Sequence, residues 1–248
     1  MSIKNKLNAF LKHFSVQVHG LGYLQSLAKG EFKKDEFDYF KNVFGNQPLV
    51  IFDVGANRGN TIHRFLDFFP SAKIFAFEPL PPLAKEIKEQ FRNNPNVVID
   101  ASGIADKKGE QLFYVNTSVD TSSFLPSKLT GLNSDPQVKN REQITVPVKT
   151  IRDSVRENNL DHIHILKLDI QGSELNALKG AEQLLTDKKI DLIYTEAYFI
   201  QQYVNQPLFP EIALYLLSHG YQLQDIYNPI YGKGKLAWCD AVFVREGL

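Results

Sequence analysis

Val50-Ile51-Phe52-Asp53-Val54-Gly55-Ala56-Asn57-Arg58-Gly59-Asn60 is the stretch that decides the fold of this chain. An apolar run leads straight into a turn with two glycines, a helical pattern follows, and Glu78 closes the next apolar run. Glycine accepts turn dihedrals that other residues resist and lets backbone approach a ligand closely. An acid at the end of a second strand can hold a ribose diol by accepting its two hydroxyl protons. Together these features describe a pocket for an adenosine-containing cofactor.

Working outward, strand and helix patterns alternate. Residues 49–54, 73–78, 97–101, 163–169 and 191–196 read as strands one to five, and 222–227 and 236–244 as strands six and seven. Near-continuous apolar runs of this length suit strands buried on both faces of a parallel sheet. Helices are expected after strand one as far as Phe68, from Pro81 and Pro82 to Arg92, and over residues 174–185 and 210–219. Residues 110–115 and 144–148 alternate around Gly109 and predict extra antiparallel strands, with a polar loop near 118–140. The expected fold is α/β: a Rossmann-like, doubly wound, seven-stranded sheet. Only residues 228–235 join the last two strands, too few for a helical crossover, so strand seven is expected to be antiparallel.

Residues 1–45 stand apart from the domain expected over 46–248. Through Lys34 they carry six lysines against one acid, and Ile3, Leu7, Phe10, Leu11 and Phe14 fall at amphipathic-helix spacing. An N-terminal helical extension packed on the domain is the plainer expectation, with a membrane-surface or oligomer-contact helix as the alternative. Among 248 residues, 43% are hydrophobic and 23% charged, as in an ordinary globular chain. Lysine plus arginine equals aspartate plus glutamate at 28 each, which gives no overall pull toward nucleic acid or membrane. The lone Cys239 excludes an internal disulfide. No apolar run approaches the ~20 residues that span a bilayer, and the first residues lack a signal-peptide pattern. A cytoplasmic location is the default expectation.

Ligands of such sheets sit beyond the carboxyl ends of the strands. The rim is then Asp53 to Asn57, Glu78, Ser102 and Gly103, Asp169 to Glu174, and Glu196, with Trp238 and Asp240 at the start of the reversed strand seven. A nicotinamide dinucleotide asks for G-x-G-x-x-G beneath its pyrophosphate. Here Asn57 stands where the second glycine would be, and its side chain crowds that approach. S-adenosylmethionine has no phosphates and fits better. Asp53, Gly55, Asn57, Gly59, Glu78, Ser102 and Asp169 are the expected cofactor residues, with Asp53 taking the amino end of the methionine tail directly or through water.

Several ordered motifs carry a resemblance. Asp53-x-Gly55-Ala56-Asn57-x-Gly59, Phe77-Glu78-Pro79, the run from Leu166 through Asp169-Ile170-Gln171-Gly172-x-Glu174 to Ala181, and Trp238-x-Asp240-Ala241-x-Phe243-Val244 are similar to the FkbM-type methyltransferases, as is Ser122-Ser123. The resemblance covers about residues 49–245 and not the first 45. It implies a class I methyltransferase fold and S-adenosylmethionine-dependent O-methylation, commonly of a sugar or polyketide hydroxyl. Gln171 stands where the family often has glutamate, and Ser173 where it often has Phe, His or Tyr. Position 173 bears on the acceptor.

An alcohol is a poor nucleophile until a base or a metal helps it. Asp169 and Glu196, on neighbouring strand ends, are the catalytic candidates; capping or cofactor positioning is the competing role for Asp169. The same two carboxylates are also the kind of pair that holds Mg²⁺ or Ca²⁺, a less favoured reading. Glu174, Trp238 and Asp240 are assigned to the acceptor, Glu174 with a competing role at its helix N-terminus. Tyr227, Asn228 and Tyr231 join Trp238 as aromatic and polar rim residues. His162 and His164 fall at the wrong end of strand four and read as structural, and Lys128 and Arg141 as loop charges. A small-molecule or glycan acceptor is expected. A nicotinamide-dependent oxidoreductase is disfavoured by Asn57 and the lack of a Tyr-x-x-x-Lys pair, and an inactive binding module by the completeness of the motifs.

Overall fold

The computed structural model describes residues 35–128 and 138–248. The elements are α1 (Glu36–Phe44), β1 (Val50–Val54), α2 (Asn60–Phe68), β2 (Lys73–Phe77), α3 (Pro81–Gln90), β3 (Val97–Asp100), β4 (Gly103–Ile104), β5 (Gly109–Asn116), β6 (Asn140–Lys149), α4 (Ile151–Glu157), β7 (Ile163–Leu168), α5 (Glu174–Lys179), α6 (Glu182–Thr186), β8 (Ile190–Tyr198), α7 (Phe209–Ser218), β9 (Tyr221–Gly232) and β10 (Lys235–Arg245). The main sheet has seven strands in the order β3-β2-β1-β7-β8-β10-β9. β1, β2, β3, β7 and β8 pair in parallel, and β10 inserts antiparallel between β8 and β9. This is the expected doubly wound sheet with its seventh strand reversed.

Each face is sealed by helices. On one side Phe37, Phe40 and Phe44 of α1 pack with Phe65 of α2, Ile87 of α3 and the sheet residues Ile51, Ile74, Ile165 and Val242. On the other, α4 to α7 cover Phe52, Leu166, Leu168, Ile193 and Phe243. The three phenylalanines of α1 are almost wholly buried, so this part of the N-terminal extension is continuous with the core. The amphipathic pattern over Ile3 to Phe14 lies outside the described residues. Among those described, no helix is long and apolar enough to cross a membrane.

Several elements depart from the sequence reading. The two extra strands form, but in a separate three-stranded sheet, β4-β6-β5, set over the entrance of α3. Helix α4 is an addition to the expected elements; Thr150 caps it reciprocally with Asp153, a capping box whose Thr-x-x-Asp signature stands in the sequence. The helix expected over 174–185 is broken at Gly180, where an added Cβ would meet the Ala105 carbonyl oxygen at 2.3 Å. The connection allotted to residues 228–235 shrinks to Lys233-Gly234, both at positive φ (48° and 74°). That is the handedness a two-residue hairpin turn requires.

Phe40→Ala tests whether α1 belongs to the cooperative unit. Removing a wholly buried phenylalanine is expected to cost about 3–5 kcal/mol in denaturant unfolding, and a loss below about 0.5 kcal/mol would make α1 an appended cap.

Candidate active site

The cleft opens at the carboxyl ends of β1, β2 and β7. Its wall includes Gly55 and Asn57 after β1, Glu78, Leu80 and Leu83 after β2, Asp169 to Gln171 after β7, and Phe113, Val119, Asp120 and Ser122 from the small sheet and the short turn beyond it. Glycine is required at position 55, where φ is 83° and an added Cβ would fall 2.0 Å from the Asp169 carbonyl oxygen. The turns after β1 and β7 therefore touch backbone to backbone.

Glu78 is nearly buried, and each of its oxygens is oriented by a backbone amide. Leu80 N donates to Oε1 at 2.9 Å and Asn57 N donates to Oε2 at 2.9 Å. A carboxylate has about four acceptor positions, so both oxygens keep capacity toward the cleft. Burial raises its proton affinity, and these two amides pull it back. Asn57 adopts φ 49° and donates through Nδ2 to Asp120 Oδ1 at 3.0 Å, while its buried Oδ1 has no partner among the described residues.

Asp53, expected to take the amino end of the methionine tail directly or through water, is fully buried and absent from the cleft wall. Its Oδ1 lies 2.8 Å from Lys167 Nζ, which also donates to the Gly55 carbonyl at 2.8 Å and stands 3.8 Å from Asp169 Oδ2. Burial pulls the ammonium toward neutrality, but Asp53 and Asp169 outweigh it and hold its proton affinity above the ordinary value. Sequence reasoning missed Lys167. Its signal was a lysine inside an otherwise apolar strand, in register with Asp53 on the neighbouring one.

Asp169 and Glu196 are brought together through Gln171, whose Nε2 lies 3.0 Å from Asp169 Oδ1 and 3.0 Å from Glu196 Oε2. Tyr198 OH donates to Glu196 Oε2 at 2.6 Å. Burial, then the Asp169 charge beside it, pushes the Glu196 carboxyl well above the usual range, and burial raises Tyr198 likewise. Tyr198 and Tyr203 were not foreseen; Tyr203 comes from the loop after β8, which folds around the buried Gln206 side chain.

Glu174, expected at the acceptor, is turned inward instead. Its Oε1 accepts from Ile170 N at 3.0 Å and Gly172 N at 3.1 Å, bracing the turn that carries Asp169. Burial lifts its pKa to about 7 against the pull of those amides. Trp238 stands opposite Tyr198 and Asp240 opposite Glu196 on β10, so both reach the rim. Asp240 Oδ2 accepts from Asn228 Nδ2 at 2.8 Å and Tyr194 OH at 3.2 Å, and burial raises its pKa to about 6. Buried Glu36 of α1 shares those two donors and accepts from Arg64 at 2.8 Å. Ser102 bonds Asp100 Oδ1 at 2.7 Å and is not in the cleft wall, and Gly59 begins α2 at φ 81°. His162 and His164 bond Asp191 and the Val50 amide at the opposite end of β7.

The family model of the methyltransferase FkbM domain matches residues 53–223, from Asp53 to the start of β9. The chain belongs to the FkbM methyltransferase family. The 2-O-methyltransferase NoeI of Sinorhizobium fredii is 29% identical over 59% of this chain and 62% of its own length. The hexuronic acid methyltransferase AglP of Haloferax volcanii is 27% identical over 55% of this chain and 51% of its own. The chain thus spans under two thirds of the length of these relatives. A precorrin-6y C5,15-methyltransferase structure from Geobacter metallireducens aligns at a TM-score of 0.44 and 13% identity over 81% of this chain and 82% of its own.

For this FkbM-family chain, the buried Glu174 sets a pH dependence of stability. Between about pH 4.5 and 7 the folded state holds this proton and the unfolded state does not. Stability from this group therefore falls as pH rises, by up to ~1.4 kcal/mol per unit. Glu174→Gln should flatten the decline in melting temperature across that window, whereas parallel curves for the two proteins would refute the assignment.

Proposed function

We propose that this chain is an S-adenosylmethionine-dependent O-methyltransferase acting on a hydroxyl of a sugar, glycoconjugate or related secondary metabolite. The observation that carries the reading is Glu78, its two oxygens set by the Leu80 and Asn57 amides and its remaining acceptor positions turned to a cleft with a glycine floor. A ribose diol is the ligand chemistry that this carboxylate suits. The apolar side chains of Leu80, Leu83, Phe113 and Ile170 offer the adenine a non-polar wall, and the unpartnered Asn57 Oδ1 offers an acceptor.

S-adenosylmethionine supplies, when bound, a methyl group on a positively charged sulfur. The chain's own task is to align the acceptor oxygen and take its proton. Glu196 is the candidate base, because burial and the neighbouring carboxylate raise its proton affinity. Both its bonds, from Gln171 and Tyr198, fall on Oε2, which leaves Oε1 for an incoming hydroxyl. Trp238, half-buried and with its ring 6.2 Å from that of the buried Tyr198, offers aromatic surface for a sugar face. The name of NoeI, a 2-O-methyltransferase, supports a hydroxyl acceptor, and that of AglP, a hexuronic acid methyltransferase, supports a sugar.

The test is calorimetric titration with S-adenosylmethionine, S-adenosylhomocysteine and NAD⁺. The two sulfur cofactors should bind and NAD⁺ should not. Glu78→Ala should weaken both by about tenfold to a hundredfold, the cost of losing one charged hydrogen bond of about 1.5–3 kcal/mol. Binding of NAD⁺ alone would overturn the reading.

A further inference from the structure

Gln171 lies where three segments meet: the turn after β7, the loop after β8 and the loop after β5. Its backbone is left-handed, at φ 53°, and its carbonyl accepts from Ser123 Oγ at 2.7 Å. Its Nε2 lies 3.0 Å from each of Asp169 Oδ1 and Glu196 Oε2, and its Oε1 lies 3.0 Å from each of the Tyr198 and Tyr203 hydroxyls. A carboxamide has two N–H groups and one oxygen with two lone pairs, and a phenol has one proton. Both N–H groups have a carboxylate in reach, and with the Tyr198 proton on Glu196 the Tyr203 hydroxyl is the donor in reach of the amide oxygen. The orientation follows from the same inventory. Reversed, the amide oxygen would face two carboxylates, acceptor against acceptor, whereas hydroxyls can meet either end.

Two carboxylates on neighbouring strand ends are an oxygen donor set that a hard divalent cation takes. Here the space between them holds an NH₂ group. It lies within reach of one oxygen of each carboxyl, with an N–H for each. On the far side of Asp169, Lys167 Nζ stands 3.8 Å from Oδ2 and supplies positive charge. The two functions of a bridging cation, fixing the spacing and offsetting the repulsion, are thus met by the chain's own side chains. The one proton of the Tyr203 hydroxyl is shared between the amide oxygen at 3.0 Å and the Thr121 carbonyl at 2.7 Å, which places Tyr203 between the amide and the loop after β5.

We propose that Gln171 is a positioning residue for the acceptor site: its carboxamide takes the bridging place of a divalent cation between Asp169 and Glu196, and the reaction needs no such cation. The proposal rests on the preceding reading for what the pair does, while its test reads metal binding alone. A carboxylate at position 171 would convert the bridge into a third anionic oxygen donor, so the amide is what keeps a cation out.

The experiment is titration of the protein with Mn²⁺ and Ca²⁺, followed by calorimetry and thermal shift, with S-adenosylhomocysteine affinity measured alongside. The wild type should show no saturable binding up to about 1 mM, the weak end of protein Ca²⁺ sites. Gln171→Glu should gain binding at least about tenfold tighter, as added ligand charge demands, and Gln171→Glu/Glu196→Gln should lose it again. Saturable wild-type binding that disappears in Glu196→Gln would overturn the proposal without any need for the Gln171 variant to fold. A folded Gln171→Glu that gains no metal affinity would overturn it as well. Failure of S-adenosylhomocysteine to bind the wild type would instead strike the cofactor reading and leave the metal result to be judged separately.

Discussion

The buried ammonium of Lys167 is the constraint on which the rest of the site depends. It sits on the central strand pair, 2.8 Å from Asp53 of β1 and 2.8 Å from the Gly55 carbonyl, with Asp169 at 3.8 Å. A lone charge in that position would cost several kcal/mol, and only a partner of opposite sign makes it tolerable. Pairing Asp53 with Lys167 therefore fixes the carboxyl ends of β1 and β7 against each other. The side-chain-free Gly55 then allows their two turns to meet, with no room for a Cβ beside the Asp169 carbonyl. The cleft is what this junction leaves open between Glu78 and Asp169.

A second layer of bonds converts the junction into a shaped site. Glu174 braces the turn after β7 from beneath, and Gln171 gathers Asp169, Glu196, Tyr198 and Tyr203 above it. The loop after β5 is fastened to both, through Ser123 to the Gln171 carbonyl and through Thr121 to Tyr203. From the other side Glu36 of α1 reaches the donors that serve Asp240. A residue outside the matched family domain thus helps to hold the rim of the expected acceptor site.

The sheet was legible because its signals are local. Apolar runs of strand length, glycines between strand and helix, and a connection too short for a crossover predicted seven strands and the reversal of the last. Helix α4 escaped because its capping box lies in a segment without a long apolar period. The hairpin turn escaped because lysine at positive φ is an uncommon choice there. At the site, rim positions such as Glu78, Asp169 and Glu196 followed from topology alone. Roles did not, because they depend on which way a carboxylate turns. Glu174 turned inward to the amides of its own turn, and Asp53 to Lys167 on the neighbouring strand. Tyr203 and Gln171 meet only because two loops fold back over one strand end, and no periodicity records that.

The most direct test of this account is a double-mutant cycle on the central pair, Lys167→Met and Asp53→Leu, read by unfolding free energy and by affinity for S-adenosylhomocysteine. Each single change should cost about 3–5 kcal/mol by stranding its partner, and the double variant should regain most of that loss. Cofactor affinity should stay depressed in the double variant, because the Gly55 carbonyl then loses its Lys167 donor. Additive losses of stability, or a double variant that binds the cofactor like the wild type, would contradict the claim that this ion pair builds the site.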